Sequence, residues 1–442
     1  MGLSTLREAI DSLKFLGVPD RDVAVYASVS TKSAALNIQF RRQCVQLGYE
    51  SPVYAHELWM LCARDPLFFL NTFAYLLETR EKQDWNTHDR YGASKVIPFI
   101  TRGYQDTVIL ECVKYLGRQD IVIPKSRETG ISWIMIAIAA WDWIFHDQTH
   151  IGFVSKDLLS ANNPDDPDAL SPSDYERNIT KNTFKNTKNG SSLTAYAAKG
   201  DIGRGGRKSW MVADEFHFFE HGEDYQAMDS TVHVTPCRVF VSTANRDRGM
   251  AGAFYDVVSD DTRNGIKIIV DWKDDPDKYR GLYHGELIPG TDTYRLVIDD
   301  MDFWLPYCNF DAEKSFRHPT KSGANYPFIL DERNRSLYYD HVWNRPGSTP
   351  QSVAAELDRN FGGATAQIFN PQLLARAIES VKPIVASGDL MRNPEKPDEW
   401  MFQGMIVGGM THLWCPLANG RPPKSEYVFG ADVSAGTGGE WS

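Results

Sequence analysis

Apolar residues in this chain fall into two patterns: short β-branched runs that end in small polar residues, and longer stretches at helical spacing. Ile121-Val122-Ile123-Pro124 is one such run, followed by Lys125-Ser126-Arg127-Glu128-Thr129-Gly130-Ile131-Ser132 and an apolar helix to about Phe145. Thr149 to Ser155, Trp210 to Ala213, Arg238 to Val241 and Ile266 to Trp272 repeat the buried-strand pattern. Strands alternating with helices predict an α/β fold with a mostly parallel central sheet. Leu6, Ile10, Leu13 and Leu16 predict an N-terminal helix stopped at Gly17-Val18-Pro19, and His56 to Glu78 predicts packed helices punctuated by Arg64-Asp65-Pro66. Pro350 to Phe361 reads as an amphipathic helix with Val353, Ala354, Leu357 and Phe361 on one face, stopped by Gly362-Gly363. Ser160 to Ser173, rich in Asn, Asp, Pro and Ser, reads as a surface loop.

Three of the strands end in chemistry. A phosphate loop of the form Gly-x4-Gly-Lys-[Ser/Thr] uses backbone N–H groups and a helix N-terminus to hold phosphate, a lysine on the outer phosphates and a hydroxyl on magnesium. Here Gly130 and Ser132 fill the second-glycine and hydroxyl positions, Ile131 takes the place of the lysine, and Lys125 stands where the first glycine should be. The cation has moved to the front of the loop, on a stem long enough to fold back onto the phosphates. An ordinary strand-turn-helix reads the same segment without nucleotide. Asp214-Glu215 closes the second strand, delivering two carboxylates at its C-terminal end, where open α/β sheets bind ligands. Asp214 suits the magnesium shell, and Glu215 suits orientation or deprotonation of the attacking water. Ser242-Thr243-Ala244-Asn245 closes the third, with hydroxyls and an amide suited to sensing the outermost phosphate and coupling hydrolysis to movement; a plain strand-ending turn accounts for it as well.

Taken in this order, the loop from Lys125 to Ser132, the basic Gly203-Arg204-Gly205-Gly206-Arg207 ahead of Asp214-Glu215, and Ser242 to Asn245 resemble the large terminase subunit of tailed bacteriophages. The resemblance covers about residues 60 to 442. It implies a P-loop ATPase motor that moves double-stranded viral DNA into a procapsid, with ATP and Mg2+ bound at Lys125 to Ser132 and Asp214. It also implies Gln105 as a reader of adenine, since an amide matches both acceptor and donor on that edge; without the resemblance, Gln105 reads as an exposed glutamine opening a helix. Arg127 becomes the candidate for an arginine finger in cis, the alternative being a salt bridge to Glu128 or a nearby acid. Arg204 and Arg207 become contacts for the outer phosphate, for a neighbouring subunit's nucleotide or for DNA, the alternative being a solvated turn.

The implied partners are double-stranded DNA, the portal protein, the small terminase subunit and further copies of the chain in a ring, working in the host cytoplasm and transiently at the procapsid portal. The expected domains are an N-terminal helical segment at 1–85, the motor at 86–361, and a linker with an incomplete ribonuclease-H-like nuclease at 362–442. Tyr427 to Gly439 resembles the first nuclease strand, with Asp432 as the first ligand of a second Mg2+ or Mn2+ site. Two-metal hydrolysis needs several convergent acids, and ten residues follow Asp432, so this chain is not expected to cut DNA.

Composition narrows the rest. The 442 residues suffice for two to three domains, and the 42% hydrophobic and 24% charged fractions are those of a globular protein. A net charge of −11 gives no overall attraction to DNA or an anionic membrane, so any DNA contact must be local. Six cysteines without a C-x-x-C pair argue against a disulfide framework or a zinc module, and His412 with Cys415 has no second pair nearby. The longest apolar run, Ile134 to Ile144, is broken by Asp142 and is too short to span a bilayer. Asp274, Asp275 and Asp277 read as a solvated turn, lacking the glycine and closing glutamate of a calcium loop. Two other readings stay open: a helicase-like ATPase that remodels nucleic acid, which should carry a second motor domain, and a non-catalytic nucleotide-binding scaffold.

Overall fold

The computed structural model describes residues 34–77, 96–155, 182–198, 202, 206–220, 222–260, 265–309, 315–364, 385–396, 398–404 and 411–413. Residues 1 to 33, the Ser160 to Ser173 segment, Arg204, Cys415 and Asp432 lie outside them. The chain divides into two compact units, Met1–Ala366 and Gln367–Ser442.

The first unit opens with helices α1 (Ala34–Glu50), α2 (Pro52–Arg64) and α3 (Pro66–Phe73). Asp65 ends one helix and starts the next: its carboxylate accepts from the N–H groups of Leu67 and Phe68, and Pro66 needs no acceptor at the first helical position. The expected helix to Glu78 stops five residues early, because Tyr75–Leu77 (β1) pairs antiparallel with Val96–Pro98 (β2). Buried Arg41 fixes this change of course by donating to the carbonyls of Leu70, Ala74 and Phe99.

Helix α4 (Gly103–Tyr115), strand β3 (Asp120–Pro124) and helix α5 (Ile131–Phe145) follow, then β4 (His150–Ser155), β5 (Thr183–Lys185), β6 (Ser192–Ala197) and β7 (Trp210–Asp214). Helix α6 (Glu223–Thr231), β8 (Arg238–Ser242), α7 (Ala253–Ser259) and β9 (Gly265–Lys267) complete a seven-stranded sheet in the order β5-β6-β4-β7-β8-β3-β9. Every neighbouring pair is parallel except β5 with β6, so the predicted mostly parallel α/β sheet is what the chain forms. Alternate residues of each central strand bury on opposite faces. Ile121, Ile123, Val239 and Val241 pack with Ile134 and Ile138 of α5, while Val122, Phe240, Met211 and Ala213 pack with Phe216 and Phe254. Both faces are covered, as a parallel sheet requires.

Beyond the sheet, β10 (Tyr283–Leu287) lies between β11 (Tyr294–Ile298) and β12 (Asn334–Arg335), followed by helices α8 (Leu337–Trp343) and α9 (Pro350–Glu356). Val353, Ala354 and Leu357 are buried as expected, but the helix predicted to reach Phe361 ends at Glu356. Arg359 takes a left-handed conformation (φ 53°), and its guanidinium pairs with Asp271. Phe361–Ala364 then forms a separate short turn of helix, so Gly362 and Gly363 lie inside it rather than acting as the stop. In the second unit β13 (Ala386–Arg392) pairs antiparallel with β14 (Trp400–Gly404) and β15 (Thr411–Leu413). Among the described residues no helix is long and apolar enough to cross a membrane, and Cys44, Cys62, Cys112, Cys237 and Cys308 are free thiols.

Ile123, fully buried in the strand that leads to the loop, is the most direct test of this core. Ile123→Ala is expected to lower unfolding free energy by about 2–5 kcal/mol in denaturant titrations, through lost transfer energy and a residual cavity.

Candidate functional site

Three adjacent parallel strands, β7, β8 and β3, end together. Pro124 stands opposite Ser242, and Asp214 opposite Val241, so the residues following each strand meet at one edge of the sheet. Two contacts between these segments define the centre. The Lys125 ammonium lies 2.9 Å from a Glu215 carboxylate oxygen, and the Ser132 hydroxyl donates to Asp214 Oδ1 at 3.1 Å. Lys125 is only 6% exposed, so its four-carbon stem is packed and its charge delivered to a fixed point. Glu215 itself adopts a left-handed backbone (φ 51°), which turns the chain sharply at the strand end and brings its side chain to the lysine.

The loop between Lys125 and Ser132 is held by its surroundings. Lys125 N–H donates to Ser242 O at 3.0 Å, Ser126 N–H to Val270 O at 2.9 Å, and Arg127 N–H to Glu356 O at 2.7 Å. The buried Ser126 hydroxyl donates to Leu357 O at 2.6 Å and accepts from Trp272 N–H at 3.0 Å, tying the loop to the end of α9. Its side chain is therefore structural. Arg127, the finger candidate, is exposed and paired through its guanidinium with Glu356. Glu128 (φ 60°) and Gly130 (φ 76°) carry left-handed backbone, and Thr129 closes the turn by donating from Oγ1 to Ser126 O at 3.0 Å. Ile131, at the position usual for the lysine, is the first residue of α5 and is buried in the core. Because helical bonds begin with the carbonyl of Gly130, the first N–H groups of α5 have no intrahelical acceptor.

Gln105 stands against this loop at the third position of α4, but both ends of its amide have protein partners. Its oxygen accepts from Arg102 N–H at 3.0 Å, and its nitrogen donates to Thr129 O at 3.3 Å, so reading an adenine edge would require exchanging those bonds. Arg207 is exposed. Ser242, Thr243, Ala244 and Asn245, the candidates for coupling, are all buried. Ser242 Oγ accepts from His217 N–H at 3.1 Å, and Asn245 N–H donates to His217 Nδ1 at 2.9 Å. His217 Nε2 lies 3.0 Å from Ala251 O, which fixes the neutral tautomer with the proton on Nε2. Burial pushes the His217 pKa down, in keeping with that neutral form.

Two residues at the site escape a reading of the sequence alone: His217, two positions past Glu215, and Lys278, whose Nζ donates to Arg127 O at 3.1 Å and Glu128 O at 2.8 Å. The Asp-Glu-x-His spacing is a local signal for the first. Lys278 has none, because its contact spans some 150 residues of chain.

Burial is the first cause that holds the Asp214 carboxyl above its ordinary pKa, opposed by the Lys125 charge and by the Ser132 hydrogen bond. A hydroxyl and a carboxylate 3.1 Å apart are the hard oxygen donors that suit magnesium, which keeps several waters and takes few protein ligands. Among the described residues no group of three or more His, Cys, Asp or Glu forms a further metal cluster. A cavity of about 140 Å³ lined by Val113, Trp141, Asp142, Ser209 and Trp210 opens at the start of β7, the opposite end of the sheet from these groups.

Compared with solved structures, the chain is similar to the large terminase from a thermophilic bacteriophage, at 15% identity and TM-score 0.31, over 39% of this chain and 46% of that chain. The same terminase in complex with ADP gives the same values. The HK97 bacteriophage large terminase is similar at 16% identity and TM-score 0.30, over 41% of this chain and 42% of that chain. The match thus spans less than half the length of each of these proteins. No family model matches the chain, and no curated protein matches it.

The raised pKa of Asp214 has a sign that can be measured. A carboxyl whose folded-state pKa exceeds its unfolded value costs stability once ionised, so the cost is absent at low pH and grows as pH rises through the raised value. Asp214→Asn keeps an acceptor for Ser132 and removes the charge. In thermal melts without magnesium it is expected to be more stable than the parent at pH 7 to 8, with the difference shrinking toward zero near the ordinary carboxylate value of 3.8.

Proposed function

We propose that the chain is an ATP-hydrolysing motor of the large-terminase type, driving double-stranded DNA movement. The observation that carries this reading is the convergence of Lys125, Glu215, Ser132 and Asp214 at the C-terminal edge of adjacent parallel strands. A cation and an acid meet where a transferring phosphoryl group and its attacking water must sit, next to a helix start that favours anions.

In this reading Lys125 exchanges its contact with Glu215 for the β- and γ-phosphates of ATP, neutralising charge there. The freed Glu215 accepts a proton from the water that attacks the γ-phosphorus, and the bond to the β,γ-bridging oxygen breaks to release ADP and phosphate. Ser132 and Asp214 would hold Mg2+, which when bound supplies Lewis-acid charge at the phosphate oxygens. Arg127 must leave Glu356 to act as a finger, whereas Gln105 must give up Thr129 O to read adenine. The contacts from His217 to Ser242 and Asn245 give a short path from the catalytic strand end to the coupling segment. Action on DNA, a ring of copies, the portal and small-subunit partners, the 86–361 motor boundary and a nuclease metal at Asp432 rest on the resemblance of the motifs. Arg204 and Arg207 stay assigned to phosphate or DNA on the same basis.

Magnesium-dependent phosphate release, measured with and without double-stranded DNA, tests the reading. Glu215→Gln is expected to bind nucleotide like the parent while kcat falls by about 10²–10⁴-fold. Lys125→Ala is expected to weaken nucleotide binding by about ten- to 100-fold, the worth of a charged hydrogen bond. A folded parent that neither binds nor hydrolyses ATP, alone or with DNA, overturns the proposal.

A further inference from the structure

Lys278 sits in a turn that reads, as sequence, like a solvated acidic loop, yet it is 3% exposed. Asp275 caps that turn by accepting from Asp277 N–H at 3.0 Å. The carboxylates of Asp275 and Asp277 both pair with Arg102, the residue preceding α4, so the turn is bound to the start of that helix. From there the Lys278 ammonium reaches across to two consecutive carbonyls of the phosphate loop, Arg127 O at 3.1 Å and Glu128 O at 2.8 Å, while lying 4.6 Å from the centre of the Tyr338 ring. The next carbonyl, Thr129 O, accepts from Tyr104 O–H at 2.7 Å and from Gln105 Nε2 at 3.3 Å. Three successive carbonyls are thus held by donors from outside the loop.

Peptide planarity converts this into a statement about the N–H groups. In a trans peptide the N–H points opposite to the C=O of the same unit. Fixing the carbonyls of Arg127, Glu128 and Thr129 on Lys278, Tyr104 and Gln105 turns the N–H groups of Glu128, Thr129 and Gly130 away from those donors. Left-handed backbone at Glu128 and Gly130 is the kind of conformation that brings successive N–H groups into an anion-binding concavity. Gly130 leaves room for this: a Cβ there would come within 3.0 Å of Gln105 Nε2.

We propose that Lys278 is a positioning residue for the phosphate loop, gripping the carbonyls of Arg127 and Glu128 so that the N–H groups of Glu128, Thr129 and Gly130 face the phosphates of the nucleotide. The proposal rests on the ATP-binding reading of the same site. It gives Lys278 a role in holding the ground-state nucleotide, not in the proton transfer that Glu215 performs.

Calorimetric binding of magnesium-ADP, steady-state ATP hydrolysis and nucleotide-free thermal melts of the parent and Lys278→Met separate the possibilities. Lys278→Met is expected to bind ADP about ten- to 100-fold more weakly, with KM rising in step and kcat at saturating ATP falling far less than in Glu215→Gln. A Lys278→Met protein that melts lower but binds ADP with the parent's affinity overturns the proposal, leaving Lys278 a structural strut and the ATPase reading intact. A folded parent that binds no ADP overturns both. Should Lys278→Met fail to fold, Lys278→Leu, which likewise lacks a donor, replaces it, with weaker ADP binding expected and parental affinity overturning the proposal.

Discussion

The register between Asp120–Pro124 and Arg238–Ser242 is the constraint on which the site depends. At the start of the pair Asp120 accepts from Arg238 N–H at 2.8 Å and from its guanidinium, and at the end Lys125 N–H donates to Ser242 O at 3.0 Å. A slip of one residue would turn Ile121 and Ile123 onto the face that now buries Val122, exchanging the two cores. It would also carry Lys125 out of reach of Glu215. Packing and chemistry are therefore fixed by the same ladder of hydrogen bonds.

From that ladder the site grows outward. Lys125, Ser132, Asp214 and Glu215 form its centre, and a further set of contacts holds the loop's backbone: Val270 and Trp272 from the segment after β9, Glu356 and Leu357 from the end of α9, and Tyr104 and Gln105 from α4. Much of the loop's surroundings is thus supplied by segments that follow the sheet strands in the chain. The kink after Glu356 belongs to this set, because the carbonyls of Glu356 and Leu357 are engaged with the loop. A helix continued through Arg359 would turn those carbonyls into its own ladder.

What was legible in the sequence follows from range. Strand runs such as Ile121–Ile123 and Val239–Val241 carry their burial in local pattern, so the parallel sheet and the residues at its edge could be read directly. The spacing of Asp214-Glu215 and of Ser242 to Asn245 behind their strands was equally local. The break in α9 was not, since the amphipathic face persists through Leu357 and distant contacts, among them those from Ser126, Arg127, Asp271 and Tyr339, decide where the helix stops. Lys278 was invisible for the same reason: an acidic turn rich in Asp looks solvated until Arg102, far away in sequence, is found to neutralise it. Ser126 and Gln105 could be placed beside the loop but not given their bonds, because hydroxyl and amide partners depend on the packed tertiary structure.

In the proposed site Lys125, delivered from the strand end, replaces the lysine that a phosphate loop ordinarily carries at the Ile131 position. A crystal structure with ADP and magnesium measures it directly. The Lys125 ammonium is expected on the β-phosphate at about 3 Å, a charge-assisted hydrogen-bond distance, with the N–H groups at the start of α5 on the same phosphate. ADP bound elsewhere, or bound in the loop with Lys125 still paired to Glu215 and another cation on the β-phosphate, would contradict it.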